Sequence, residues 1–256
     1  MLCIMPSPTY DHTTAAELAT RAGELLLRTR EDNAYLDGKA LKDLGDRTSH
    51  EFLMSELARL APHDAVLSEE GADDHARLAA DRVWIVDPLD GTREFSETGR
   101  DDWAVHVALW EAGELTAGAV ARPAKGVTYT SADADGPAGD TGSPLRLAVS
   151  RSRPPEFVVR LAEHLGAELV PMGSAGVKAM SVLDGEADAY VHAGGQYEWD
   201  SAAPVVVARA HGLHTSRIDG SPLVYNNGNP YLPDLVVCRS EVADQVLAGI
   251  RAVTQD

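Results

Sequence analysis

Between residues 14 and 26, Ala15, Leu18, Ala19, Ala22, Leu25 and Leu26 recur at the three-and-four spacing of a helix buried along one face. Thr14 and Glu17 form a capping-box pair that predicts its start. A second helix is expected from Thr48 and Glu51, ahead of Phe52, Leu53, Leu57 and Leu60, with Pro62 ending the pattern. The period then falls to two. Residues 65–67 and 83–86 read as strands, and Trp103, Val105, Val107 and Leu109 alternate with Ala104, His106, Ala108 and Trp110. Short runs at 115–121, 127–130 and 145–149 continue the theme, so the middle of the chain predicts an antiparallel sheet.

Between the last two runs, residues 132–144 (ADADGPAGDTGSP) form an exposed loop that bends a hairpin or joins two lobes. Beyond it the pattern alternates: helix 155–165, strand 168–172, helix 174–183, strand 187–192, helix 201–211, strand 234–238 and helix 242–253. That order predicts an α/β lobe. The expected organisation is an N-terminal α+β lobe over residues 1–143, with an antiparallel sheet, and a smaller α/β lobe over 144–256. No internal repeat is visible at solenoid periods. Residues 217–234 (RIDGSPLVYNNGNPYLPD) read as a surface hairpin with Asn-Gly and Asn-Pro turns.

Composition changes this picture little, since 256 residues at 44% hydrophobic and 24% charged suit an ordinary globular fold. Charge says more. Forty acidic against 22 basic residues give a net charge of -18, which repels nucleic acid polymers and anionic membranes at long range and leaves a small molecule as the expected partner. The opening MLCIMPSPTYDH lacks a basic segment before a long apolar one, and no stretch reaches the length of a membrane span, so the cytoplasm is the expected compartment. Cys3 and Cys238 are too few for a disulfide framework or a thiolate zinc site.

The chemistry lies where apolar segments end in acids: Glu69 and Glu70, Asp87 and Asp90 in VWIVDPLDGTREF, and Asp200 after Trp199. One carboxylate at a strand end is ordinarily a cap or a solvated turn; several that converge repel each other unless a cation lies between them. Carboxylates without a His-Cys cluster suit a hard divalent ion such as Mg²⁺, which shares its shell with water and phosphate oxygens. Asp90, Gly91 and Thr92 fall where a helix begins, and its free N–H groups and positive dipole end suit a phosphate. Phosphatases with an aspartyl nucleophile space their acids as D-x-D-x-T; here the two are three apart, so a metal-activated water is the better reading than attack by aspartate. His106 and His192 fit structural histidines, and Trp199 fits packing that orients Asp200. Asp200 also fits the N-cap of helix 201–211, and Asp46 the cap of the helix near Thr48.

Together, SEE, VWIVDPLDGT and EWDSAA, in that order, resemble the inositol monophosphatase superfamily of Mg²⁺-dependent phosphatases, over about residues 17–238. The resemblance implies the layered αβαβα sugar-phosphatase fold. Arg93-Glu94-Phe95 after Asp-Gly-Thr, and MGSAGVKAM at 172–180, resemble the CysQ-type branch that hydrolyses 3'-phosphoadenosine 5'-phosphate, a by-product of sulfate activation. Carried over, the resemblance implies that Glu69, Asp87 and the Leu89 carbonyl hold one ion, while Asp87, Asp90 and Asp200 hold another. Asp46 is the candidate ligand of a third, weaker one. Glu70 and Thr92 orient the attacking water. Gly91, Thr92, Arg93, Gly173, Ser174, Lys178 and Asp200 contact substrate, and Tyr225 is a further candidate for the sugar or base. Inositol 1-phosphate or fructose 1,6-bisphosphate hydrolysis is the alternative activity, and metal-dependent nucleotide binding without turnover a second alternative. The resemblance favours a monomer or homodimer.

Overall fold

The computed structural model describes residues 8–254; Cys3 lies outside them. Two long helices open the chain, α1 (Pro8–Asp32) and α2 (Gly38–Leu60). Both begin earlier than expected. Thr14 and Glu17 lie inside α1, and Thr48 and Glu51 lie inside α2, whose cap is Asp37 with its carboxylate accepting from the Ala40 N–H. The buried stripe of α2 explains the difference: Leu41, Gly45, Ser49, Leu53 and Leu57 recur every four residues, and two of the five are not apolar. Gly45 is required by packing, because a Cβ there would lie 2.6 Å from the Phe95 ring.

A five-stranded sheet follows: β1 (Ala65–Ser68), β2 (Arg82–Asp90), β3 (Ala104–Glu111), β4 (Glu114–Arg122) and β5 (Val127–Thr130), in that spatial order. β1 runs parallel to β2 and the remaining neighbours are antiparallel. A five-residue helix, α3 (Thr92–Ser96), leaves the end of β2. The second sheet contains β6 (Arg146–Ser150), β7 (Glu168–Met172), β8 (Ala189–Tyr197), β9 (His214–Ser216) and β10 (Tyr231–Cys238), ordered β7-β6-β8-β10-β9. Here the expectation for 145–149 fails: the run that was to extend the antiparallel sheet is β6, parallel to both β7 and β8 in the other sheet. A short apolar run carries no sign of which sheet it joins. The helices of this half are α4 (Glu156–Leu165), α5 (Ala175–Leu183), α6 (Glu198–Ala210) and α7 (Ala243–Thr254).

Three apolar clusters define five layers. On β3, Val105, Val107 and Leu109 face α1 and α2 through Leu18, Ala22, Leu53 and Leu57. Ala104 and Ala108 face the opposite way, into a cluster with Val177 and Met180 of α5, Ala203 and Val207 of α6, and Tyr190 and Val237 of the second sheet. The outer face of that sheet is closed by α4 and α7 through Val158, Leu161, Val246 and Ile250. The order is therefore helices, sheet, helices, sheet, helices, the αβαβα arrangement. α5 is buried at every position. Residues 217–230 contain no strand, so the expected hairpin is an irregular crossing, and it is not wholly at the surface: Leu223 and Tyr225 enter the central cluster. Among the described residues no helix is long and apolar enough to cross a membrane.

Candidate active site

The strand carrying the two acids does not stop before them. β2 runs through Asp87, Pro88 and Leu89 to Asp90, and its register slips there: Asp87 lies opposite His106 and Asp90 opposite Ala104. Three residues on β2 thus span two on β3, a bulge at a proline that has no N–H to lend the ladder. The slip settles the geometry of the pair. In a regular strand, positions three apart point to opposite faces; the extra residue returns Asp90 to the face Asp87 occupies, toward the central helices.

Asp90 is buried and held by the start of α5. Its Oδ1 accepts from the Ala175 N–H at 3.1 Å; its Oδ2 accepts from the Ser174 hydroxyl at 2.5 Å and the Gly176 N–H at 2.7 Å. His106, wholly buried, places Nε2 3.2 Å from Asp90 Oδ2, close but off the line of an aligned hydrogen bond, and directs Nδ1 to the Trp199 carbonyl at 3.1 Å. Despite burial, these neighbours hold the Asp90 carboxyl well below the usual range: the His106 charge first, then Lys178 and the Ser174 hydroxyl. A Cβ on Gly176 would sit 2.0 Å from His106 Nε2, so only glycine admits the ring.

The other acids are driven the opposite way. Burial first, and then Glu69, Asp90 and Asp200, raise the Asp87 carboxyl well above its ordinary value. Asp200 is pushed up to about 6 by burial and Asp90. Glu69, solvent-exposed overall while its carboxyl reaches Asp87, is pushed to about 7 by desolvation and Asp200. Asp200 is not the N-cap expected of its helix. It lies in the first turn of α6, and its carboxylate accepts from the Tyr197 N–H at 2.6 Å.

A second group gathers at the base of α3. The Thr92 hydroxyl lies 3.1 Å from the Leu89 carbonyl oxygen and 3.3 Å from Asp46 Oδ1. Asp46 caps nothing; it sits within α2, and burial together with Glu70 pushes it to about 7. Gly91 precedes α3 at φ +86°, where a Cβ would crowd Ser174 and the backbone of Asp102 and Trp103. Gly173 donates its N–H to Asp102 Oδ2 at 2.6 Å, and a Cβ there would meet Glu94 Cγ at 2.4 Å. Arg93 is largely exposed and pairs with Glu97 at 3.2 Å. Lys178, expected to contact substrate, is buried, and its Nζ donates to the carbonyls of Gly173 and Ser174. Tyr225 is buried with its hydroxyl 3.1 Å from Ser201 Oγ, and does not face solvent.

Sequence reasoning therefore left His106 outside the site, where register places it beside Asp90; its signal was its place on the inward face of an alternating strand. It also missed Asp102, which fixes Gly173 while paired with Arg100. His192 pairs with the Gly194 carbonyl on its own strand and lies against the Tyr190 ring, 6.3 Å between centroids.

The donor set tests whether a cation belongs here. Asp87, Asp90 and His106 bring ligand atoms within 4.8 Å of one another, and Glu69 and Asp200 crowd Asp87 strongly enough to oppose its ionisation. Such a cluster fits a hard divalent ion and is costly without one. The sign of the effect on stability follows. A carboxyl whose folded-state pKa is raised favours the fold below its unfolded pKa of about 4, and that contribution disappears as pH rises through the folded value. The metal-free protein is expected to melt at a higher temperature near pH 5 than near pH 8, the loss beginning above the unfolded pKa of about 4 and complete once Asp200 and Asp46 have titrated, around pH 6–7. Saturating Mg²⁺ is expected to flatten or reverse the trend, because it binds the deprotonated form. Thermal melts in chelator and in Mg²⁺ across that range check this.

Residues 9–254 match the model of the inositol monophosphatase family. The chain is 52% identical over 257 residues to a 3'-phosphoadenosine 5'-phosphate phosphatase of Mycobacterium leprae, covering 96% of this chain and 95% of that one. It is 30% identical over 236 residues to the 3'(2'),5'-bisphosphate nucleotidase CysQ of Escherichia coli K12, covering 84% and 94%. The crystal structure of CysQ from Bacteroides thetaiotaomicron, described as a bacterial member of the inositol monophosphatase family, superposes with a TM-score of 0.79 at 28% identity, covering 90% of this chain and 97% of that one.

Proposed function

The chain belongs to the inositol monophosphatase family, a metal-dependent one, and on that premise we propose that it is a phosphatase removing the 3'-phosphate of 3'-phosphoadenosine 5'-phosphate. The products are AMP and inorganic phosphate. The observation that carries the chemistry is the bulge in β2, which turns Asp87 and Asp90 to one face beside Glu69 and Asp200. Glu69, Asp87 and the Leu89 carbonyl would hold one Mg²⁺, and Asp87, Asp90 and Asp200 would hold a second. When bound, the ions neutralise phosphate charge and lower the pKa of a coordinated water.

The chain's own groups do the rest. The N–H groups of Gly91 and Thr92, at the start of α3, face phosphate oxygens. The attacking water, oriented by Glu70 and Thr92, passes its proton to Thr92 Oγ1, whose own proton goes to Asp46. A carboxyl held near 7 is matched to that task at neutral pH. The water oxygen bonds to phosphorus as the bond from phosphorus to the ribose O3' breaks, and the leaving oxygen takes its proton from solvent water while Asp46 later returns its own to solvent. Arg93, largely exposed, would meet a second phosphate, and Lys178 holds the Gly173–Ser174 turn through its two carbonyls.

Phosphate release from 3'-phosphoadenosine 5'-phosphate, inositol 1-phosphate and fructose 1,6-bisphosphate, with and without Mg²⁺, tests this reading. The expected result is Mg²⁺-dependent release with kcat/KM for the nucleotide at least about tenfold above the others, the range that one well-placed group distinguishes. A higher kcat/KM on inositol 1-phosphate sinks the substrate assignment, and no release from any of the three sinks the catalytic one.

A further inference from the structure

Four tyrosines stand out as exposed among the described residues, and two of them touch. Tyr197, at the end of β8, and Tyr231, at the start of β10, are register partners, 41% and 42% exposed, with ring centroids 5.7 Å apart and nearly perpendicular. Tyr197 also stacks on Trp199, 4.8 Å between centroids and 8° from parallel. Packing accounts for the Trp199 contact. It does not account for leaving two neighbouring tyrosines two-fifths open to water.

Their position is the second observation. The Tyr197 N–H is the donor to Asp200, and the Trp199 carbonyl is the acceptor for His106, which touches Asp90. The aromatic group thus begins within one residue of the carboxylates. Its setting is held rather than loose: the Gly195 N–H donates to the Tyr231 hydroxyl at 3.1 Å. Gly194 and Gly195, at φ +91° and +81°, have no atom within 4 Å of where a Cβ would stand, so the strand end beside the rings is bare backbone facing open space.

We propose that Tyr197, Tyr231 and Trp199 form the surface on which the purine base lies while the 3'-phosphate occupies the carboxylate cluster. This rests on the nucleotide reading of the site and adds to it the part of the protein that recognises the base. A planar, uncharged π-system is the occupant that suits ring faces carrying no free charge, next to a site that already takes the charged end of the same molecule.

The test compares 3'-phosphoadenosine 5'-phosphate with ribose 3,5-bisphosphate, which keeps both phosphates and lacks the base. Tyr197→Ala is expected to lower kcat/KM on the nucleotide by about ten- to a hundredfold, the usual worth of one base stacked on an aromatic ring, mainly through KM. On the base-free substrate the same variant should stay within about twofold of wild type. Tyr197→Phe should retain the nucleotide rate, and Tyr231→Ala should repeat the selective loss in milder form. Equal losses on both substrates overturn the proposal, because Tyr197 would then act only by orienting Asp200; no loss on the nucleotide overturns it too. So does a wild-type dimer that Tyr231→Ala dissociates without any substrate-selective effect, which would make the rings a contact between two copies. Wild-type protein that fails to hydrolyse the nucleotide defeats the functional reading itself, whereas an active wild type with unselective variants defeats this proposal alone.

Discussion

Asp90→Asn is expected to lower kcat by about a thousandfold or more, ~4 kcal/mol of transition-state stabilisation, and to lower the melting temperature as well. The two losses share one cause. Asp90 offers both oxygens to the start of α5, from Ser174, Ala175 and Gly176, while His106 presses on it from the side. An amide keeps one acceptor and turns an NH2 toward groups that themselves donate, leaving a buried N–H without a partner. It also removes the negative charge that complements the helix dipole and faces His106 and Lys178. Steady-state kinetics and thermal melts, each with and without Mg²⁺, measure both effects; a variant that melts like wild type in chelator would show that the α5 contacts do not depend on the charge.

Asp87→Asn should abolish activity to a similar degree and do the reverse to the metal-free fold. Asp87 lies among Glu69, Asp90 and Asp200, and its ionisation is opposed by burial and by all three. Asparagine removes that charge yet keeps the oxygen that accepts from the Leu89 N–H at 3.0 Å. In chelator near pH 8 the variant is therefore expected to melt several degrees above wild type, as for small domains in which about 1 kcal/mol moves the midpoint by a few degrees. In saturating Mg²⁺ the order should invert, because only wild type keeps the carboxylate proposed to bind the ion and so gains its binding free energy. Crossing melting curves would identify Asp87 as a group that lowers the stability of the fold for the sake of its chemistry. A variant less stable than wild type in chelator would contradict the crowding from which the cation was inferred.

Much of this site was legible in the chain because its parts are contiguous. Asp87 to Thr92 form one unbroken run, and the acids at 69, 70 and 200 each follow an apolar segment. Less legible was everything set by packing between distant elements. The starts of α1 and α2 were misplaced because a Ser/Thr-x-x-Glu pair also occurs within helices, and because the inward stripe of α2 includes Gly45 and Ser49, which an apolar count passes over. Strand 145–149 carried no mark of its parallel partners. His106 had the signature of a core residue, which it is; only the bulge, visible as a register slip against β3, brings it to Asp90. Lys178 carries no mark of its burial in the chain, since lysine is rarely buried and the backbone carbonyls that take up its Nζ leave no trace in a pattern of side chains.

The central helical layer has a consequence for how such a protein can diverge. α5 has no solvent face at all, and most of α6 is equally enclosed, so the first turns that hold Asp90 and present Asp200 are fixed by two sheets at once. A substitution there is felt by both. The end of β8, the start of β10 and the exposed side of α3 face outward and answer to few neighbours. If the rings and Arg93 meet substrate as proposed, a substitution among them would alter the choice of substrate without disturbing the enclosed turns that carry the acids.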